Sequence, residues 1–93
     1  MKIKFTLSFQ NRLLNQIDYI ANDSPIRARK FYKNLILKIK QIPKKPLSFR
    51  KSIYFNEDSI RDLIFNGYTI TFKINNDSIE VFGFVKEQST IED

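Results

Sequence analysis

The chain has 93 residues, no cysteine, no histidine and a formal net charge of +6. One domain over residues 1–93 is expected, because a chain of this length can build a single core. The missing residue types exclude thiol nucleophiles, imidazole acid–base pairs and zinc sites made from those ligands. We expect neither a cofactor nor a metal ion. No apolar run is long enough for a signal peptide or a membrane span, so a cytoplasmic protein without membrane contact is expected.

The positive charge is concentrated in the middle third of the chain. Residues 25–55 contain ten of the 16 Lys and Arg residues, and all ten acidic residues lie outside this range. Such a block attracts nucleic acid or an acidic protein segment through long-range, salt-dependent electrostatics. The alternative is a solvated helix face that keeps the protein in solution.

The first elements are predicted to be a strand and a helix. Residues from Lys2 to Leu7 alternate between polar and apolar, which indicates a half-buried strand. Ser8 is a suitable cap for an amphipathic helix, whose apolar residues recur at helical spacing through Asn22.

A second helix follows directly. Asp23 or Ser24 can cap it, and Pro25 suits its first turn, where the missing N–H costs nothing. Pro43 and Pro46 are predicted to end it. Its apolar stripe consists of Ala28, Phe31, Tyr32, Leu35, Ile39 and Ile42. Residues 47–59 show no clean period and are predicted to form an ordered connection with a short strand or turn.

Residues 60–86 predict a three-stranded meander. Asn66-Gly67 is typical of a type I′ turn between two strands. The last strand, residues 78–86, is expected to be interior because both of its faces are apolar. One face carries Ile79, Val81 and Val85, and the other carries Phe82 and Phe84. The chain is therefore predicted to be a small α+β domain: an N-terminal strand and a two-helix hairpin packed on an antiparallel sheet, which the C-terminal meander completes.

Four segments carry more specific information. They are FQNRLLNQIDYIAND, SPIRARKFYKNLILKIKQIPKKP, IRDLIFNGYTITFKI and IEVFGFVK, and the third contains Arg-x-Leu-x-x-x-Gly-Tyr at Arg61, Leu63, Gly67 and Tyr68. In order and spacing, over nearly the whole chain, they resemble the RelE/ParE superfamily of toxins from bacterial type II toxin–antitoxin systems. The resemblance is greater to the ParE-like branch.

This resemblance implies a toxin that a cognate antitoxin neutralises by wrapping around it, a partner that the basic block suits. Members similar to RelE cleave messenger RNA on the ribosome, whereas ParE-like members poison DNA gyrase. RNA cleavage needs cations at the phosphate and a proton acceptor and donor beside it. Gyrase poisoning needs a binding surface.

The chain departs from the ribonuclease pattern at two places. Many family members have Arg directly after the Gly-Tyr pair, whereas this chain has Thr69. Many also end the last strand with a His or an Arg-rich segment. Here residues 86–93 read KEQSTIED, and their acidic groups repel phosphate.

Three residues remain as catalytic candidates, each with a structural alternative. Arg61 is a candidate anion contact or an ion-pair partner of Asp58, Asp62 or a C-terminal acid. Tyr68 is a candidate for proton transfer, and the alternative is that its ring belongs to the core with the hydroxyl at the margin of that core. Lys86 is a second candidate anion contact or a lysine that protects a strand edge.

We therefore expect a ParE-like toxin that acts by binding, with a cognate antitoxin and DNA gyrase as partners. One alternative is a RelE-like, metal-independent endoribonuclease that acts on the ribosome and messenger RNA. The others are a degenerate, non-toxic family member and a basic nucleic-acid-binding module. The candidate contacts for the antitoxin or the target are Arg27, Lys30, Lys33, Lys38, Arg50 and Lys51.

Overall fold

Residues 1–86 are described by a computed structural model, in which two helices pack on one face of a five-stranded sheet. The elements are β1 (Lys2–Phe5), α1 (Leu7–Asp23), α2 (Pro25–Gln41), β2 (Arg50–Lys51), β3 (Ile60–Phe65), β4 (Tyr68–Ile74) and β5 (Ser78–Lys86). Two 3-10 turns, Ile42–Lys44 and Pro46–Ser48, join α2 to β2. The predicted α+β architecture is confirmed. No helix among these residues combines the length and the apolar character needed to cross a bilayer.

The strand order across the sheet is β1-β5-β4-β3-β2. β1 runs parallel to β5, and the other neighbouring strands are antiparallel. The sheet is therefore mixed, and in this one pairing it differs from the predicted antiparallel sheet. Side chains alternate with a period of two in both orientations, so the alternation in β1 does not reveal its direction. β5 is an interior strand, as its apolar residues predicted.

The start of α1 differs from the prediction because Thr6, rather than Ser8, caps the helix. The Thr6 amide donates to the Val81 carbonyl at 3.0 Å, which makes Thr6 the last residue bonded to the sheet. Its hydroxyl accepts a hydrogen bond from the Phe9 amide at 3.1 Å and so satisfies a free donor of the first turn. Leu7, predicted to end the strand, is the first helical residue and is exposed.

The second helix begins as predicted. The Ser24 hydroxyl accepts a hydrogen bond from the Arg27 amide at 3.2 Å, and Pro25 lies in the first turn. Tyr32 departs from the predicted apolar stripe and is 47% exposed. It lies at the margin of the stripe, and its ring lines a groove between the two helices.

The core lies between the helices and the sheet. α1 contributes Phe9 and Leu13, and α2 contributes Leu35 and Ile39. The residues that the sheet contributes to this core are Leu63, Phe65, Tyr68, Ile70, Phe72, Ile79, Val81 and Phe84. Aromatic rings pack against each other through this layer, and burial of such side chains is the main contribution to stability in a domain without disulfides.

A β-bulge in β5 changes which of its residues face the core. Thr71 lies opposite Gly83, whereas the next residue of β4 lies opposite Val81, so Phe82 is the extra residue on β5. The bulge reverses the alternation beyond it. Phe84 is therefore buried and Val85 is 40% exposed, so the prediction that Val85 shares a face with Val81 is wrong.

The turn between β3 and β4 has the predicted form. Asn66 has φ 48° and Gly67 has φ 82°, the pair of positive values that a type I′ turn requires. This tight turn aligns the ends of the two strands, so that Phe65 lies opposite Tyr68. Tyr68 is thereby placed at the end of the sheet, beside Lys86 of β5.

Candidate functional site

Two of the predicted catalytic residues line one cleft. Tyr68 and Lys86 are directly opposite each other on β4 and β5, so their side chains point to the same face of the sheet. The cleft lies between this end of the sheet and the helical hairpin, has a volume of about 370 Å³, and is called the end cleft below. Its lining residues are Gln16, Tyr19, Ile20, Arg27, Lys30, Phe31, Asn34, Asn66, Tyr68 and Lys86.

Each helix contributes one row of side chains to the end cleft. Residues 16, 19 and 20 belong to α1, and residues 27, 30, 31 and 34 belong to α2. On α1, residue 16 lies three and four residues before residues 19 and 20, and on α2, residue 27 lies three, four and seven residues before residues 30, 31 and 34. This spacing places each set on one face of its helix. Arg27 and Lys30, two of the predicted partner contacts, therefore share the cleft with Tyr68 and Lys86.

Tyr68 is held by aromatic neighbours. Its ring stacks on Phe84 with centroids 5.0 Å apart and meets the edge of Phe31 at 5.2 Å. Burial, together with the nearby Tyr19 phenol, raises the pKa of the Tyr68 hydroxyl above its ordinary value. The phenol therefore stays protonated at neutral pH and can donate a hydrogen bond, but it is a poor proton acceptor.

The end cleft has an excess of positive charge. The guanidinium of Arg27 lies 3.1 Å from the carboxylate of Asp23 in an exposed pair. Lys30 and Lys86 have no carboxylate within ion-pair distance among residues 1–86. Arg12 lines an adjoining recess of about 320 Å³ with Tyr68 and Lys86 and likewise has no such partner in this range. The surroundings of Tyr68 thus favour an anionic group.

Arg61 does not lie with the other two catalytic candidates. It is opposite Phe72, four residues along β3 from the end that carries the cleft. Its guanidinium donates hydrogen bonds to the carbonyl of Asp58 at 2.8 Å and to that of Phe49 at 3.0 Å. The side chain is 15% exposed, and it also pairs with the Asp58 carboxylate at 3.9 Å. These contacts support the structural alternative for Arg61, and its anion-binding role stays a prediction.

Arg50 and Lys51 of the edge strand β2 are also held by acidic side chains. Arg50 lies 3.3 Å from Asp62, whose carboxylate is 0% exposed, and Lys51 lies 3.8 Å from Asp58. Asp62 additionally accepts a hydrogen bond from the Thr71 hydroxyl at 2.9 Å. The sequence contained one signal for this site, an acidic residue inside the apolar strand IRDLIF. Arg50 thus links β2 to β3 through a buried carboxylate, whereas the Lys51–Asp58 pair is exposed and contributes little to stability. The predicted role of Arg50 and Lys51 as partner contacts stays a prediction.

Lys33 and Lys38 are exposed on α2, outside the end cleft. Lys33 borders a mainly apolar groove of about 490 Å³ between the helices, together with Tyr32. Lys38 lies in the last turn of α2, where a cation interacts favourably with the helix dipole. Their predicted role as partner contacts stays a prediction.

Thr69 lies on the opposite face of β4 from Tyr68, because neighbouring residues of a strand alternate between faces. It is fully buried, and its cross-strand neighbours are Ile64 and Val85. An arginine at this position would therefore lie away from the end cleft. The predicted effect of the acidic groups at residues 87–93 concerns positions outside the described residues.

Several residues of the end cleft were not predicted from the sequence. Tyr19, Gln16, Asn34 and Asn66 line it, and Tyr19 offered the clearest signal. It is a large aromatic residue outside the apolar stripe of α1, and it is exposed. Exposed aromatic residues beside cations are common in binding surfaces.

The comparisons with known proteins agree with the predicted family. A family model described as ParE toxin of type II toxin-antitoxin system, parDE, matches residues 3–91. A solved structure described as the chromosomal ParDE TA system from P. aeruginosa contains a chain with a TM-score of 0.76 and 15% sequence identity. The match covers 95% of this chain and 97% of that chain. No curated protein matches the sequence.

Proposed function

Because the chain belongs to the ParE toxin family of type II toxin–antitoxin systems, we propose that it is the toxin of such a pair and acts by binding DNA gyrase. A cognate antitoxin neutralises it in the cytoplasm. The family match over residues 3–91 supports the toxin role, and the likeness to a chain of a ParDE system supports an antitoxin partner. Gyrase follows from the ParE-like branch that the sequence resembles.

The composition of the end cleft is the observation that favours binding over catalysis. Cleavage of RNA through a ribose 2′-hydroxyl needs a group that accepts its proton. No carboxylate lines the end cleft among residues 1–86, and the raised pKa of Tyr68 keeps its phenol protonated. The cleft therefore offers cations and hydrogen-bond donors, which suit the binding of an acidic group.

The position of Arg61 supports the same choice. A ribonuclease built on the three predicted residues needs Arg61 beside Tyr68 and Lys86, so that its charge can stabilise the phosphate. In the fold Arg61 binds backbone carbonyls of the connection before β3 instead.

Induced expression, with and without the product of a neighbouring short open reading frame, tests the proposal. We expect growth arrest, accumulation of gyrase-linked DNA breaks, intact messenger RNA, and relief of the arrest by the neighbouring product. Ribosome-dependent loss of messenger RNA without DNA breaks would select the endoribonuclease. Normal growth despite abundant folded protein would identify a non-toxic family member.

The Tyr68→Phe variant separates the two mechanisms further. It keeps the ring that packs on Phe84 and removes only the hydroxyl. A toxin that acts by binding gyrase is expected to retain growth arrest in this variant. A ribonuclease that uses the phenol for proton transfer would lose a factor of about 10² to 10⁴ in cleavage rate.

A further inference from the structure

We infer that the end cleft is the docking site for an acidic segment of the antitoxin, with a carboxylate side chain placed between Lys30 and Lys86 and an apolar side chain beside it. This inference rests on the proposed function, which supplies the antitoxin as partner. It assigns one role to Tyr68 and Lys86, which are predicted as catalytic candidates, and to Arg27 and Lys30, which are predicted as partner contacts.

Charge is the first argument. Lys30 and Lys86 approach the cleft from α2 and β5, and neither forms an ion pair within residues 1–86. Arg27 adds a third cation, whose pair with Asp23 is exposed and therefore weak. Like charges around one recess repel each other, and a bound carboxylate relieves that repulsion. The attraction also accelerates encounter with an acidic partner.

The neutral donors are the second argument. The protonated hydroxyl of Tyr68 belongs to the cleft, and within residues 1–86 it makes no hydrogen bond. The amides of Asn34 and Asn66 lie on the same lining. A carboxylate can accept several hydrogen bonds at once, and such charge-assisted bonds are stronger than neutral ones.

The apolar part of the lining favours a protein segment over a nucleic acid. Ile20 and Phe31 are half-buried on the cleft side of the helices, and Tyr19 is 69% exposed beside them. An apolar side chain next to the carboxylate would cover these surfaces and gain the free energy of apolar burial. A nucleic acid could stack a base on Tyr19, but its phosphodiester backbone has no aliphatic group that would cover Ile20.

Charge reversal with a matched control tests the inference. The double variant Lys30→Glu/Lys86→Glu reverses two of the positive charges that line the end cleft. Lys40→Glu/Lys44→Glu makes the same change in net charge at exposed positions outside it. The dissociation constant of the purified antitoxin, measured by calorimetry, is expected to rise at least about 30-fold for the cleft variant and less than about 3-fold for the control. Thermal unfolding verifies that each variant is folded, and Lys30→Gln/Lys86→Gln replaces the charge reversal if that variant does not fold.

A complementary exchange on the partner strengthens the test. An antitoxin in which acidic residues are replaced by Lys should bind the Lys30→Glu/Lys86→Glu toxin more tightly than the natural antitoxin does. Such restored binding identifies direct contact between the opposite charges, since a general loss of stability in the toxin would not be reversed.

Three results would overturn the inference. In the first, the cleft variant binds the antitoxin as tightly as the wild-type toxin does. In the second, the cleft and control variants lose affinity equally, which would indicate only the overall field of the protein. In the third, the cleft variant loses affinity for a labelled single-stranded oligonucleotide while it keeps its affinity for the antitoxin, which would make the cleft a nucleic-acid site. If the wild-type toxin itself does not bind the neighbouring gene product, the proposed function fails first, and that result is distinct from these three.

Discussion

Replacing Asp62 by alanine is expected to lower the free energy of unfolding by about 3 kcal/mol. The side chain is 0% exposed and connects three elements through its two oxygens. One oxygen accepts a hydrogen bond from the Thr71 hydroxyl at 2.9 Å. The other accepts from the Arg50 guanidinium at 3.3 Å and from the Ile53 amide at 3.4 Å. Asp62 thus fixes the edge strand β2 and the segment after it to β3.

The magnitude follows from which partners can recover their hydrogen bonds. Thr71 is 4% exposed, so its hydroxyl would lose a charge-assisted bond that contributes about 1.5–3 kcal/mol. Arg50 is 43% exposed and can bind water instead, so its loss adds at most about 1 kcal/mol. The long hydrogen bond from the Ile53 amide, at 3.4 Å, adds little to the loss of stability. A loss of about 3 kcal/mol corresponds to a fall in melting temperature of about 12–24 °C in a domain of this size.

Urea unfolding followed by far-UV circular dichroism measures this change, with an unaltered m-value as evidence that the folded state is otherwise intact. Asp58→Ala is the matched control. Asp58 is 88% exposed, and its ion pairs with Lys51 and Arg61 are long, at 3.8 and 3.9 Å. Asp58→Ala should lower the free energy of unfolding by less than about 0.5 kcal/mol. A cost below about 1 kcal/mol for Asp62→Ala, or equal costs for the two variants, would refute the reasoning.

Three further predictions concern the cap, the bulge and the buried phenol. Thr6→Ala is expected to lower the free energy of unfolding by about 1 kcal/mol, and Ser8→Ala is expected to lower it by much less. Equal losses for the two variants in urea unfolding would contradict the assignment of Thr6 as the cap. Gly83→Ala is expected to lower the free energy of unfolding by about 1–3 kcal/mol in the same measurement, because the added methyl group would lie 2.9 Å from Cβ of the buried Thr71. An unchanged free energy of unfolding would contradict this and would mean that the bulge relaxes freely. Burial raises the pKa of Tyr68, so the folded state holds this proton more tightly than the unfolded state does, and stability falls as the pH rises above the ordinary value of 10.0. Tyr68→Phe should therefore lose less stability than the wild type between pH 9 and about 11, and parallel pH profiles would contradict this.

The end cleft shows how far candidate residues can be identified without a structure. The family resemblance points to Tyr68 and Lys86, and the basic block points to Arg27 and Lys30. The fold brings these four together because the turn before β4 and the helical hairpin end at the same edge of the molecule. The resemblance points equally to Arg61, yet its guanidinium donates hydrogen bonds to backbone carbonyls.

A cap or a turn is predictable from the sequence when the interactions that form it lie within a few residues. Ser24 and Pro25 specify the start of α2 through bonds within one turn, and that prediction is confirmed. Asn66-Gly67 likewise specifies its turn through its own backbone preferences. Thr6 was missed, although it lies in a short segment, because its capping role depends on the last hydrogen bond to β5.

The sequence alone determined the order of the helices and main strands and the α+β class, because periodicity, capping residues and turn dipeptides act over a few neighbouring residues. The family followed from the resemblance of four segments to the RelE/ParE superfamily. Tertiary structure decided the parallel pairing of β1, the reversal of faces at the bulge in β5, and the contact of Asp62 with Thr71 and Arg50. It also decided which cations already have partners and which line the end cleft. Such outcomes depend on groups that are distant in the chain, and residue spacing does not encode the distances between them.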